Sequence, residues 1–533
     1  MAKLRFPWLL AVAVVMVLAV LLWTPAASRG SESLPYDWAP AADVDDGGCR
    51  CLRLESASGV MTEAARERMW AAYRLSDAHA APDATQLSTR GPLRDRDALM
   101  KPVLAELRRS IRAFRRDRVT AAADAAELLR RAVGDVWVLV FDNRVYVAEG
   151  FMNHVKRVGH ATMAKAAADL VGLPNALYAV STATSGANGC GEGEPLRLAV
   201  NKQVGYDQCG VLIPNTYFGK GNLTEWAREC TATAPPFGAR RPVALYRGSL
   251  HLRNQTEDQN TCARAEYGNY ARLASFAASR EAPDRVDSKR TGQHPDPAKA
   301  LAPPPVCAAF APATGLNPGT PIHGAYLGDE EYRRHKYLLN LPGALKGSYS
   351  RNLNKLWRDG SVVLQWVAPY VEWYYPALRD RVTHVAVGRH SVAATVAALE
   401  ANPAAAAAIG AAGKEIHDTF LCPLCLAGFL KTTLEAIREH LGLGLVLDDR
   451  AAASDFFRAH LPCDRMIEVM REGHPRARPM EANDPVHPCR RDGPLVNESW
   501  WLAENEAAVE QLWQAEAGEA PLGGTARKHL GLS

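Results

Sequence analysis

Residues 335–387 read HKYLLNLPGALKGSYSRNLNKLWRDGSVVLQWVAPYVEWYYPALRDRVTHVAV, and their rhythm sets the fold class. Three apolar runs of strand length, Tyr337–Leu341, Ser361–Trp366 and Val382–Val387, are separated by segments able to form helix. Short buried strands alternating with helices predict a parallel sheet with crossover connections. The first connection carries Gly343 and Gly347, then Ser348, Tyr349, Ser350 and Arg351, ahead of the helix-like Leu353–Trp357. A glycine-containing turn that opens a helix leaves backbone N–H groups unpaired at the positive end of the helix dipole, where phosphate is stabilised. Serine hydroxyls and a forked guanidinium beside such a turn suit a diphosphate. Glu372 precedes an aromatic run, and one carboxylate there can accept both hydroxyls of a ribose. Trp373, Tyr374 and Tyr375 read as core or pocket wall.

Working outward toward the N-terminus, Pro242–Ser249 is a strand ending in Arg247-Gly248-Ser249. This puts a hydroxyl and a backbone amide at the carboxyl edge of a sheet, where α/β sheets bind ligands. Ser288–Pro321, rich in proline and alanine, reads as a loop excursion between elements. Asp135–Phe141 and Arg144–Ala148 flank Asp142-Asn143, a hairpin turn signal. His154–Gly172 follows with helical composition, then strand-like Ala176–Ser181 and Cys209–Ile213. Met61–Ala132 reads as helical, and its arginine-rich stretches, such as Glu106-Leu107-Arg108-Arg109, read as the solvated face of an amphipathic helix. Toward the C-terminus, Ser391–Leu399, Ala404–Asp418 and Phe420–His440 are helical in pattern, with Gly410 and Gly413 interrupting the second. Trp500–Ala517 is helix-like as well.

The 533 residues leave room for two domains and accessory segments, and 47% hydrophobic residues support a sizeable core. A net charge of +4 is small for this length and gives no reason to expect nucleic acid. Phe6–Trp23 is almost wholly apolar and follows Lys3 and Arg5. Its length is about what a bilayer requires, so it is expected to be a signal anchor that leaves the remainder exported. Cleavage as a signal peptide, near Thr24–Ser28, is the alternative. Ser31–Gly48 is acidic, small and proline-containing, like a stem linker. Eleven scattered cysteines, at 49, 51, 190, 209, 230, 262, 307, 422, 425, 463 and 489, read as disulfide usage in an oxidising compartment. Cys422-Pro-Leu-Cys425 is half a zinc site, a redox pair or a structural element. Three sequons, at Asn222, Asn254 and Asn497, agree with a secretory route.

Four blocks, His335-Lys336-Tyr337 through Asn340, Ser350-Arg351, Gly360–Leu364 and Glu372–Leu378, are similar in order and spacing to the donor half of the protein O-glucosyltransferase family of the capsule-associated-protein type. The Asp142-Asn143 hairpin, Leu173-Pro174, Ile213-Pro214-Asn215 and Arg247-Gly248-Ser249 extend the resemblance from about Val133 to His440. It implies a GT-B-like α/β fold of two facing Rossmann-like domains. On that basis the chain divides into a signal anchor (1–30), a stem and helical segment (31–132), an acceptor-side domain (133–240), a donor-binding domain (241–440) and a C-terminal extension (441–533).

The activity implied is inverting transfer of glucose or xylose from a UDP-sugar to a hydroxyl of a protein or glycan. The setting implied is the lumen of the endoplasmic reticulum or Golgi, for a type II membrane protein. Donor-binding residues carried over are Arg247, Gly248, Ser249, Arg272, Ser348, Ser350, Arg351 and Glu372. Arg272 stands before Val286-Asp287 at the family's spacing for a phosphate-holding arginine. The UDP-sugar is a substrate, so no cofactor is expected, and no metal is implied because arginines and helix amides meet the leaving charge. At one place the chain departs from the pattern. The family's general-base aspartate falls on Thr184, whose hydroxyl cannot take up a proton, leaving Glu192 and Asp207 as the candidates, with Glu194 nearby. That departure keeps open a second reading, a sugar-nucleotide- or glycan-binding pseudoenzyme.

Overall fold

The computed structural model describes residues 78–90, 95–114, 137–148, 155–180, 197–203, 210–215, 234–249, 271–291, 323–343, 353–368, 370–460, 466–469 and 477–479. All of them lie in one compact unit, Gly47–Ser533. The expected anchor, the stem linker, the three sequons and every cysteine except Cys422 and Cys425 lie outside them. The fold is mixed α/β with parallel strands in both main sheets.

The first sheet grows from the expected hairpin. β1 (Trp137–Phe141) and β2 (Arg144–Ala148) pair antiparallel around Asp142 and Asn143, whose φ values of 49° and 60° give the double left-handed turn such hairpins favour. Asn143 suits this position because its side chain works in both directions. Its Oδ1 accepts from the Leu173 N–H at 2.9 Å and its Nδ2 donates to Ala168 O at 3.1 Å. The turn is thereby tied to the end of helix α1 (Val155–Val171). Next come β3 (Ala176–Val180), β4 (Arg197–Ala199), the short β5 (Lys202–Gln203) and β6 (Val211–Leu212), with β3, β4 and β6 parallel. The sheet is therefore Rossmann-like on one side of β1 only. On the other side it is completed by β13 (Met466–Val469) and β14 (Ala477–Pro479), giving the order β14-β13-β2-β1-β3-β4-β6. Part of the segment read as a separate C-terminal extension thus belongs to this sheet. It bears no sequence mark of that role, because two short strands on a sheet edge have no distinctive periodicity.

The second sheet is all parallel: β7 (Arg241–Gly248), β8 (Val286–Arg290), β9 (His335–Asn340), β10 (Val362–Trp366) and β12 (Val385–Val387), in the order β12-β10-β9-β7-β8. Helices cover such sheets on both faces, which is why β10, VVLQW, is buried at every position. His335, Lys336 and Tyr337 serve the fold at the amino end of β9. Lys336 Nζ lies 3.0 Å from both Glu400 oxygens, and the Tyr337 hydroxyl also donates to Glu400 on the helix Val392–Ala401.

The next helix, Pro403–Ile416, is not interrupted at its glycines; they let it press onto the sheet. A Cβ at Gly410 would sit 2.4 Å from Gly360 O, and one at Gly413 2.9 Å from Thr383 O. Gly410→Ala is expected to destabilise the chain by about 2 kcal/mol, the scale of overpacking against a rigid backbone. Thermal unfolding of the purified variant measures this.

Two features connect the sheets. The strand β11 (Tyr370–Val371) pairs antiparallel with β5 of the first half. The chain then returns through a π-helical turn, His417–Leu421, into the helix Pro423–Leu441, which packs on α1. Lys431 Nζ donates to Val171 O at 3.0 Å, and Asn175 Nδ2 to Leu447 O at 2.9 Å. The long helix Arg96–Phe114 buries Leu99, Val103, Leu107 and Ile111 in a single stripe and leaves Arg108, Arg109 and Arg112 in solvent, as its pattern requires.

Candidate functional site

Within the five-stranded sheet the chain order is 2-1-3-4-5 counted from β8, so successive connections diverge on either side of the gap between β7 and β9. In parallel sheets a ligand crevice opens at the carboxyl ends of the strands where the order reverses. At this place β7 ends in Arg247-Gly248-Ser249 and β9 runs into Leu341-Pro342-Gly343.

One guanidinium spans the gap. Arg272, on the helical segment 271–281, donates through Nη1 to Ser249 O and through Nη2 to Pro342 O, the second at 3.2 Å. It is 7% exposed, and its Nε has no partner. The helix is held in register by its serines. Ser275 Oγ lies 2.7 Å from Ser288 Oγ, and Ser279 Oγ both donates to Val286 O and accepts from the Ser288 N–H. These contacts run the helical segment antiparallel to β8, so Arg272 lies toward the carboxyl edge.

A second arginine stands at the same edge, and sequence reading missed it. Arg290 closes β8 opposite Gly248 in the register, on the face that Ser288 turns toward the helix, since alternate strand residues share a face. It is 3% exposed, its Nε and Nη1 have no hydrogen-bond partner, and burial pushes its pKa down. A buried arginine without an anion is costly. Asp287, three residues earlier on the same strand, belongs to the other face. There its Oδ2 accepts from Arg247 Nη2 at 2.7 Å, and Lys289 Nζ is 3.5 Å away. Burial opposes the ionised form of Asp287, but the Arg247 hydrogen bond and the charges of Arg247 and Lys289 hold its pKa below the usual range. The one sequence signal for Arg290 was an arginine ending a strand at a sheet's carboxyl edge, which is too common to stand out.

This pairing changes the part given to Arg247. Its Nη1 donates to Tyr246 O and Asp287 O, at 2.9 and 2.8 Å, so its guanidinium is engaged in holding β7 to β8. Gly248 has a steric reason to be glycine: a Cβ there would meet the Tyr246 hydroxyl at 2.1 Å and Cζ at 2.6 Å. The Tyr246 ring is buried in the main core cluster, its phenol raised by burial and opposed by the charge of Arg272. Gly248→Ala is expected to displace this ring and Arg272 together. Ligand affinity at the crevice should fall about tenfold or more, on the scale of one or more charge-assisted bonds, and titration calorimetry against the wild type measures it.

Glu372 lies on the connection that leaves β10 at its carboxyl end and turns back toward β12. It is 1% exposed, neither carboxyl oxygen has a partner, and burial pushes its pKa up to about 8. The group is therefore a neutral acid at pH 7, with unused hydrogen-bonding capacity on both oxygens. Two buried aromatics follow it in sequence. Trp373 stacks on Phe429 at 4.0 Å between centroids, and the Tyr374 hydroxyl accepts from Trp357 Nε1 at 3.2 Å, so both aromatics are core, as their sequence suggested.

Ser249 and Arg272 are thus in contact, Gly248 and Arg290 flank them, and Glu372 lies on the connection that follows β10, the strand next to β9 in the same sheet. Ser348, Ser350, Arg351, Thr184, Glu192 and Asp207 lie outside the described residues. No family model matches this chain, and no curated protein does.

Proposed function

We propose that the chain is an inverting glycosyltransferase of GT-B arrangement, moving a sugar (glucose or xylose) from a UDP-sugar to a hydroxyl of a protein or glycan. The observation that carries this reading is two buried, incompletely satisfied guanidiniums at the carboxyl edge of a parallel sheet, Arg272 across the switch point between β7 and β9 and Arg290 at the end of the adjoining strand β8. A diphosphate supplies the anion that such a pair lacks, and its departure as UDP develops the negative charge that they stabilise. Glu372 has two free oxygens for the ribose hydroxyls. The acceptor hydroxyl attacks the anomeric carbon from the face opposite the phosphate. In this reading the first sheet holds the acceptor side, and the apolar N-terminal run anchors the protein with its body in the secretory lumen. The β5–β11 ribbon would be the link across the cleft.

Thr184 at the family's aspartate position supports a second reading, a pseudoenzyme that keeps the nucleotide pocket without transfer. Incubating the purified chain with UDP-glucose and UDP-xylose, with and without a hydroxyl acceptor, separates the two. UDP release by the wild type, lost in Arg272→Met, supports the enzyme. UDP binding with no turnover supports the pseudoenzyme, and absence of UDP binding removes both.

A further inference from the structure

We propose that Cys422–Cys425 is a redox-active dithiol–disulfide site, with Cys422 forming the mixed disulfide with thiol substrates and Cys425 the sulfur released as it forms. This does not rest on the glycosyltransferase reading. The two sulfurs are bonded in a Cys-Pro-Leu-Cys segment that opens the 19-residue helix Pro423–Leu441. As a structural cross-link it accomplishes little. Its partners are three residues apart in a turn the helix already fixes, and chain-entropy stabilisation is smallest for the shortest loops. As an exchange site it is well placed. Cys422 is the N-cap, and its Sγ accepts the Cys425 N–H at 3.1 Å. An anion at this position is stabilised by the helix amides, which favours the thiolate of Cys422. Cys425 differs. Its Sγ lies 3.4 Å from Asp418 O, a carbonyl to which a thiol donates and which a thiolate avoids.

Access fits the same role. Both cysteines are half-buried, and Leu424 between them is 61% exposed, an apolar contact for an approaching partner. The preceding segment, His417–Leu421, is π-helical, a geometry found often at functional positions.

The chemistry balances with thiols as the reductant. A substrate thiolate bonds to Cys422 Sγ as the Cys422–Cys425 bond breaks, and Cys425 leaves as a thiolate that takes a proton from water. A second substrate thiolate then attacks the substrate's own sulfur in the mixed disulfide. This releases the substrate disulfide and the Cys422 thiolate. Two substrate thiols lose two electrons and the cysteine pair gains them.

The test is equilibration of the full chain in glutathione buffers, followed by acid quenching, alkylation and mass spectrometry. We expect reversible two-electron reduction of the pair while the circular dichroism stays native. Glutathione should be trapped on Cys422 in Cys425→Ser at least ~10-fold more than on Cys425 in Cys422→Ser. If either variant fails to fold, competitive alkylation of the reduced wild type at mildly acidic pH gives the same comparison, with Cys422 expected to react ~10-fold faster. A pair that stays oxidised until the chain unfolds, or sulfurs that react equally, would overturn the proposal.

Discussion

Arg290→Met should melt higher than the wild type when no ligand is present, yet bind UDP about 100-fold more weakly. Both halves follow from one fact, a guanidinium that is 3% exposed with two nitrogens unpartnered. Replacing even a paired buried charge by apolar residues of similar volume is often neutral or stabilising, by up to about 1–4 kcal/mol, and an uncompensated charge has no partner's attraction to lose. A charge-assisted contact to phosphate contributes roughly 1.5–3 kcal/mol, so its loss costs about one to two decades of affinity. A stability gain joined to a binding loss is the signature of a residue kept for its ligand. Thermal unfolding with and without UDP measures both effects together. A variant that melts lower and still binds UDP would assign Arg290 to packing.

The second large effect belongs to Glu372. Its carboxyl stays protonated in the folded chain up to about pH 8, whereas in the unfolded chain it ionises at the ordinary value near 4.5. Between those two values the folded state binds the additional proton, so stability falls as pH rises through the window and levels off above it. The slope approaches 1.4 kcal/mol per pH unit for one such group. Glu372→Gln, which cannot ionise, should lose this slope. It is expected to exceed the wild type in stability by several kcal/mol at pH 8 and to converge with it near pH 5. The same group predicts proton release on nucleotide binding. Ribose hydroxyls donating to the carboxylate favour its ionised form, so the calorimetric enthalpy of UDP binding near pH 7 should depend on the buffer's ionisation heat. Parallel stability curves for wild type and Glu372→Gln would place the carboxyl in solvent instead.

The second sheet was legible because its strands are buried on both faces. Apolar runs such as VVLQW between helical segments have few other destinations, and β9, β10 and β12 fall within a few residues of the runs read for them. The Asp142-Asn143 hairpin was equally plain, since that dipeptide tolerates positive φ at both turn positions. β11 was not legible, being two residues whose pairing with β5 is a long-range event without local periodicity. The glycines of the Pro403–Ile416 helix were misread for a related reason. Glycine marks a break and a close approach with the same letter, and only the position of Gly360 O tells them apart.

The site was legible where a motif carried it. Arg272 and Glu372 stand out by spacing and context, and each proves buried with hydrogen-bonding atoms unused. Arg247 stood out for the same reason, but sequence cannot show that Asp287 engages it. Nor can sequence show that β8 turns Arg290 to the helix-covered face, since that follows from the serine contacts between Ser275, Ser279 and Ser288.

The most direct measurement is a structure of the chain with UDP bound. The account predicts the diphosphate at the carboxyl ends of β7 and β9, within hydrogen-bond distance of Arg272 and Arg290, and the ribose against Glu372. UDP seated elsewhere on the chain, or a crevice that stays empty at saturating nucleotide, would contradict it.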